Sequence, residues 1–352
     1  MKEWKRAGER LAENPGVALL LGAPDRGKTT LACFLANVAL GAGRRVAIVD
    51  SDVGQSDIGP PGTVGLGIVQ APLNRMRDAE LAGLYFVGSN SPGAAMLPLA
   101  VGVKAMVDKA RELGAEVIIV DTSGLVSGRM ARVLKSAKME LVRPRHVMAI
   151  QEANEVESLL RPVEYLAGVT VHRLPVSPRA RVRSREERRG ARQRGYARYF
   201  REAGTLELPL EGITWVGTLL GSGRRVDPGE YHHLASLLGG EVVYAEKGAE
   251  GLYLVAGGTH RRGAGEEVAA REGVDFARVV RTEDFDHLYC ALLDEGGEVL
   301  ALGILAWIDL QAGLASFITP WREAERVRAI HPGLLRLTPE GEELGRITGE
   351  EL

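Results

Sequence analysis

Apolar runs of five to eight residues punctuate the first half of the chain, at 17–21 (VALLL), 45–50 (RVAIVD), 84–91 (LYFVGSNS), 117–121 (VIIVD) and 146–150 (HVMAI). Runs this short, bounded by Gly, Pro or Asp, read as strands buried on both faces. Segments of helical period lie between them. Leu31, Phe34, Leu35 and Val38 recur on one side of a helix that Gly41 and Gly43 end, and 96–113 and 129–142 also read as helices. Strands alternating with helices predict βαβ units and an α/β fold with a parallel sheet. Trp4, Ala7 and Leu11 among charges predict one short amphipathic helix over 1–14, and 59–65 (GPPGTVG) reads as a rigid turn. From about 205 the pattern changes. β-like runs at 213–219, 241–244, 251–255, 287–293, 299–305 and 313–318, one helix around 230–238 and turns such as DEGG at 294–297 predict a smaller β-rich C-terminal domain. The predicted division is therefore 1–14, 15–204 and 205–352.

Composition changes this picture little. The 352 residues suffice for about two domains, and 45% hydrophobic with 26% charged residues is ordinary for a soluble globular chain. No apolar run reaches 18 residues and no signal-like segment opens the chain, so the expectation is a cytoplasmic protein with no membrane partner. Cys33 and Cys290 are read as core thiols, and His232-His233 as a helix-surface pair. With a net charge of −2, nucleic-acid affinity requires a local patch. Residues 179–201 supply one, with ten arginines opposed only by Glu186 and Glu187. On a helix Arg181, Arg185, Arg188 and Arg192 share a stripe, with Arg183 and Arg189 beside it. Such a stripe repels itself unless polyanions lie against it, and the phosphates of ATP, of a nucleic-acid strand, or of both are natural candidates.

The chemistry concentrates between 19 and 66. Gly22-Ala23-Pro24-Asp25-Arg26-Gly27-Lys28-Thr29 fits G-x-x-x-x-G-K-[ST] between a strand and a helix, the context in which such a loop, with Thr30 behind it, wraps a triphosphate. Lys28 then neutralises charge near the β/γ oxygens and Thr29 can ligate Mg²⁺. Asp50 and Asp52 follow the next strand, where topology sets them beside the γ-phosphate. One can support Mg²⁺ through water and the other can take a proton from an attacking hydroxyl. Asp121, ending another apolar strand before Thr122-Ser123-Gly124, is the expected second acidic element of the metal site, with Gly124 and Gly128 allowing close backbone approach to phosphates. Ser89, Asn90 and Ser91 offer hydrogen bonds from a loop. No Asn-Lys-x-Asp follows the strand at 146–150, where Gln151-Glu152-Ala153-Asn154 stands instead, which argues against a GTPase.

Several of these features together resemble the Clp1/Grc3 family of polynucleotide 5′-hydroxyl kinases. They are the P-loop with an internal Asp, the D-x-D-x-G-Q element at 50–55, the PGTVG turn, the Tyr-Phe strand running into G-S-x-S-P, the D-T-S-G strand end and the arginine segment closing in Tyr199-Phe200. The match spans roughly 17–200, and D-x-G-Q followed by PGTVG is its most specific part. The resemblance implies ATP and Mg²⁺ on Lys28 and Thr29, Asp52 as general base on an RNA or DNA 5′-OH, and Gln55 near the acceptor or the metal shell. It places Arg183 and Arg188 among mobile lid arginines that touch the transferring phosphate. Ser89 and Ser91 would lie near the acceptor strand, with Arg189 and Arg192 also toward the polynucleotide. With about 16 residues before the first strand, the chain is most similar to compact archaeal and bacterial members. Two other readings stay open from the residues: an ATP-bound scaffold in RNA processing, and a P-loop ATPase acting on another partner.

Overall fold

The computed structural model describes residues 2–249 and 251–347. The chain divides into two compact units, Met1–Tyr196 and Ala197–Leu352. The first opens with helix α1 (Lys2–Glu13) and strand β1 (Val17–Leu21). Helix α2 (Lys28–Gly41), strands β2 (Val46–Ser51), β3 (Thr63–Val69) and β4 (Glu80–Phe86), and helix α3 (Met96–Glu112) follow. Then come β5 (Val117–Thr122), α4 (Gly128–Val142), β6 (His146–Ile150), α5 (Glu157–Glu164), β7 (Thr170–Leu174) and α6 (Arg185–Tyr199). The sheet order is β4-β3-β2-β5-β1-β6-β7. The five strands from β2 to β7 pair in parallel, whereas β3 and β4 add to the edge as an antiparallel pair.

Every residue of β1, β2, β5 and β6 is buried, which is why each reads as an unbroken apolar run. One core layer packs α3, α4 and α5 on the sheet, and the other packs α1 and α2. With all strands of the parallel core running one way, the loops after β1, β2 and β5 emerge together at their carboxyl ends.

The region 59–69, expected to begin as a turn, holds strand β3 as well. Its Gly65 and Gly67 lie on one face of the strand: a Cβ on Gly65 would stand 2.1 Å from the Ile58 carbonyl oxygen, and one on Gly67 would stand 2.8 Å from Ala79 Cβ. The glycines that disguise the strand are what let the turn after β2 lie against it. The run at 84–91 is the end of β4, which starts at Glu80 and stops at Phe86, before the polar loop.

In the second unit, six strands form an antiparallel sheet in the order Glu343–Arg346, Ala329–Leu337, Leu288–Leu293, Val299–Asp309, Leu314–Thr319, Gly204–Pro209. Short Thr214–Trp215 pairs beside Ala329–Leu337. A second sheet orders Arg224–Arg225, Glu241–Lys247, Leu252–Gly257 and Ala277–Arg281. The helices Tyr231–Leu238 and Ala264–Glu272 belong to this part. Cys290 is buried and Cys33 is half-buried, both as free thiols. No helix among the described residues is long and apolar enough to cross a membrane.

Candidate active site

The phosphate loop fills the turn between β1 and α2. Gly22 sits where a Cβ would stand 2.9 Å from the Ile150 carbonyl oxygen, and Gly27 turns the chain at φ +89° to start α2. Lys28 is buried, and its Nζ donates to the carbonyl oxygens of Gly22 (2.9 Å) and Ala23 (3.0 Å). Burial lowers its pKa against the pull of Asp121, Asp52 and Asp25. The Arg26 guanidinium pairs with Glu152 at 2.6 Å and Glu155 at 3.6 Å, so its side chain ties the loop to the segment after β6. Thr30 and Pro24 are exposed, and Thr30 lines a cavity of about 490 Å³ shared with Asp25, Gly27 and the arginine segment.

Asp121 stands 1% exposed at the end of β5 and accepts the Thr29 hydroxyl on Oδ2 at 2.7 Å. Its Oδ1 is buried without a hydrogen-bond partner. Burial pushes its pKa up to about 6, against Lys28 and the Thr29 hydroxyl. An orphaned carboxylate oxygen beside a threonine hydroxyl fits a hard divalent cation, which takes oxygen ligands. Among the described residues no three His, Cys, Asp or Glu side chains cluster as a metal cage. Mg²⁺ bound largely through phosphates and waters needs none.

Asp50, expected near the metal, is placed differently. It is fully buried, and its Oδ2 accepts from the backbone N–H of Asp57 (2.6 Å) and Ile58 (3.0 Å) and from the Ser56 hydroxyl (3.3 Å), while Oδ1 accepts from Asp52 N–H at 3.1 Å. The carboxylate therefore anchors the turn after β2. Asp52 is half-buried above that anchor, with Oδ1 accepting Gly54 N–H at 3.2 Å. A Cβ on Gly54 would stand 3.0 Å from the Asn90 carbonyl oxygen, so the 88–92 loop abuts this turn. Ser89 is 0% exposed and its hydroxyl bonds within the loop, accepting Ser91 N–H at 3.2 Å. Ser91 is half-buried. Gly124 packs on the phosphate loop, since its Cβ would meet Pro24 N at 2.6 Å.

The arginine segment reaches this cluster. Helix α6 starts at Arg185, so Arg181 and Arg183 precede it rather than joining its stripe; Ser184 and Glu187 form a capping box that sets the start, with Glu187 N–H to Ser184 Oγ at 3.0 Å and Ser184 N–H to Glu187 Oε2 at 2.7 Å. Asp25 accepts Arg183 N–H at 2.9 Å and Arg188 Nη2 at 2.6 Å. Gln55 donates to the Arg188 carbonyl oxygen at 3.1 Å and accepts Arg183 Nη1 at 3.4 Å. The Asp52–Gln55 turn, the phosphate loop, Arg183 and Arg188 are thus joined through hydrogen bonds. Arg189 is exposed and Arg192 is half-buried, both on α6.

Two residues escaped sequence reasoning. Lys135 and Lys138 of α4 are fully buried, with Lys135 Nζ donating to the Ser123 carbonyl oxygen at 2.8 Å and Lys138 Nζ to Ser51 Oγ at 3.0 Å. Ser51 in turn donates to the Asp121 carbonyl oxygen at 2.6 Å. Burial pushes the Lys138 pKa down to about 7 against Asp52, Asp121 and Asp50, and burial also lowers that of Lys135, with Lys138 and Lys28 adding to it. Together with Lys28 they place three amines among the three aspartates. The signal was present in the spacing: both lysines fall on the buried face with Ala131, Leu134, Met139 and Val142.

Residues 22–202 match the family model for the P-loop of the mRNA cleavage and polyadenylation factor CLP1. The chain belongs to the CLP1 P-loop family. It is 35% identical over 340 residues to a polyribonucleotide 5′-hydroxyl-kinase of Thermococcus kodakarensis, covering 96% of this chain and 93% of that one. It is 33% identical over 351 residues to a similarly named kinase of Methanocaldococcus jannaschii, covering 97% and 92%. A solved Clp1p–Pcf11p complex shares the fold, with a TM-score of 0.60 at 11% identity, covering 95% of this chain and 78% of that one. The D-x-D-x-G-Q element and the arginine segment of this CLP1-family chain both fall within the matched span.

Proposed function

We propose that this chain is an ATP-dependent polynucleotide 5′-hydroxyl kinase acting on RNA ends, with DNA ends compared as acceptors in the same assay. The observation that carries the reading is the Asp52–Gln55 turn, held on one side by Asp50 and bonded on the other to Arg183 and Arg188. A loop that binds a triphosphate says only that a nucleotide is used. A carboxylate at its edge, with two guanidiniums brought to the same loop, supplies what phosphoryl transfer to a hydroxyl requires.

Lys28, Thr29 and the backbone of the loop hold the triphosphate; Thr29 and Asp121 are the residues that would hold Mg²⁺, which would supply neutralisation of phosphate charge. Asp52 takes the proton of the 5′-hydroxyl. A bond forms between the 5′-oxygen and the γ-phosphorus, the bond from that phosphorus to the bridging oxygen breaks, and ADP leaves with the electron pair. Arg183 and Arg188 offset the charge on the transferring group. The names of the archaeal relatives support the same activity. The test is incubation with γ-labelled ATP, Mg²⁺ and matched RNA and DNA oligonucleotides carrying either a 5′-OH or a 5′-phosphate. Label on the 5′-OH strands alone is the expected result. Nucleotide turnover that ignores every oligonucleotide would overturn the reading.

A further inference from the structure

The motif G-x-x-x-x-G-K-[ST] places no demand on its fourth residue, yet here that residue is a carboxylate in a conformation side chains rarely adopt. Asp25 has φ +61°, and its side chain is 7% exposed. A negative charge inside a loop that receives a triphosphate is unfavourable unless something compensates for it. The compensation comes from 158 and 163 residues further along the chain. Oδ2 accepts the Arg183 N–H and the Arg188 guanidinium, and the Arg183 guanidinium lies 3.6 Å from Oδ1.

The contact to Arg183 N–H matters most, because it fixes backbone rather than a flexible side chain. One residue later the capping box of Ser184 and Glu187 begins, so the path from Arg183 to Arg188 is one rigid turn of known register. Fixing the Arg183 backbone therefore fixes where Arg188 enters. We propose that Asp25 is a positioning residue that seats the arginine segment on the phosphate loop and sets which arginines reach the transferring phosphate. The inference rests on the kinase reading for its catalytic consequence alone; the seating itself is independent of it. A guanidinium carries five N–H donors, so one arginine can hold Asp25 and phosphate oxygens together. Asp25 thereby orients the two arginines without being displaced by substrate.

The test uses the full chain with Asp25→Asn and Asp25→Ala. Asparagine keeps an acceptor for Arg183 N–H and loses the ion pairs; alanine loses both. Without nucleotide, limited trypsin digestion read by mass spectrometry reports cutting after Arg183 and Arg188. Seating predicts cutting about tenfold faster in Asp25→Ala, with Asp25→Asn between it and wild type. In the transfer assay kcat falls about 10- to 100-fold in Asp25→Ala while the KM for ATP moves less than about threefold, and adding Asp25→Ala to Arg188→Ala costs little more. Thermal melting of both variants confirms that the fold persists; if alanine unfolds the unit, asparagine carries the comparison. Wild-type cutting rates in the folded variants overturn the seating. A raised kcat on losing the carboxylate also overturns it, since Asp25 would then restrain the arginines rather than place them. If wild type transfers no phosphate, the kinase reading fails while the digestion still decides the seating.

Discussion

Replacing Asp50 separates a structural carboxylate from a metal ligand. In Asp50→Ala the N–H groups of Asp57 and Ile58 lose their acceptor together, and that of Asp52 loses its own. Ile58 is buried, whereas Asp52 and Asp57 are half-buried and can recover part of the loss through water. An orphaned buried donor costs about 1–3 kcal/mol, so one full and two partial losses come to about 3–5 kcal/mol. Relief of the buried charge offsets some of this, because burial and Asp121 push the Asp50 pKa upward while Ile58 and Asp57 N–H pull against them. A net loss of about 3 kcal/mol corresponds to a melting temperature lower by roughly 6–12 °C for a unit of this size. Thermal unfolding followed by circular dichroism in EDTA measures it with no divalent ion present. Asp50→Asn, which keeps one acceptor oxygen, is expected to fall between alanine and wild type. The reasoning is refuted if Asp50→Ala melts with wild type in EDTA but needs tenfold more Mg²⁺ for transfer.

Two further outcomes follow from buried groups. Lys138→Met removes a desolvated amine, so stability should stay within about 1 kcal/mol of wild type or rise, while transfer falls about tenfold because Ser51 loses its donor and the aspartates lose a counter-charge; unfolding and single-turnover transfer measured on one preparation check both. His172 lies with Nε2 3.1 Å from His146 Nδ1, and burial, His146 and Arg10 push its pKa down to about 4. The unfolded chain takes up this proton near 6.5 and the folded chain only near 4, so the stability present above pH 6.5 is lost as pH falls through 4, by about 1–3 kcal/mol. His172→Gln should flatten denaturation midpoints across that window, and an unchanged pH slope would sink the assignment.

How much of this could be read from residues alone varied with what each residue reports. Buried parallel strands announce themselves through continuous apolar runs, so β1, β2, β5 and β6 emerged within a residue or two of their ends. Strand β3 was hidden because Gly65 and Gly67 serve a tertiary contact with Ile58 and Ala79, and local propensity sees only their turn preference. The nucleotide loop was legible because its spacing is itself the chemistry. Asp50 and Asp52 were legible as a pair but not in their separate jobs, which depend on which one faces the Asp57 and Ile58 N–H groups. Ser89 reads as an exposed loop hydroxyl, whereas the structure buries it within the 88–92 loop, which local sequence does not report. The start of α6 was set by the Ser184–Glu187 box, whose spacing was present but masked by the surrounding arginines.

The central claim is that the Asp52 turn converts a nucleotide loop into a 5′-hydroxyl phosphotransferase. Single-turnover transfer from γ-labelled ATP to a 5′-OH RNA, with ATP binding measured on the same Asp52→Asn preparation, tests it most directly. The account predicts ATP affinity within about threefold of wild type and transfer slowed by about 10²–10⁴. Transfer at the wild-type rate by Asp52→Asn would contradict it.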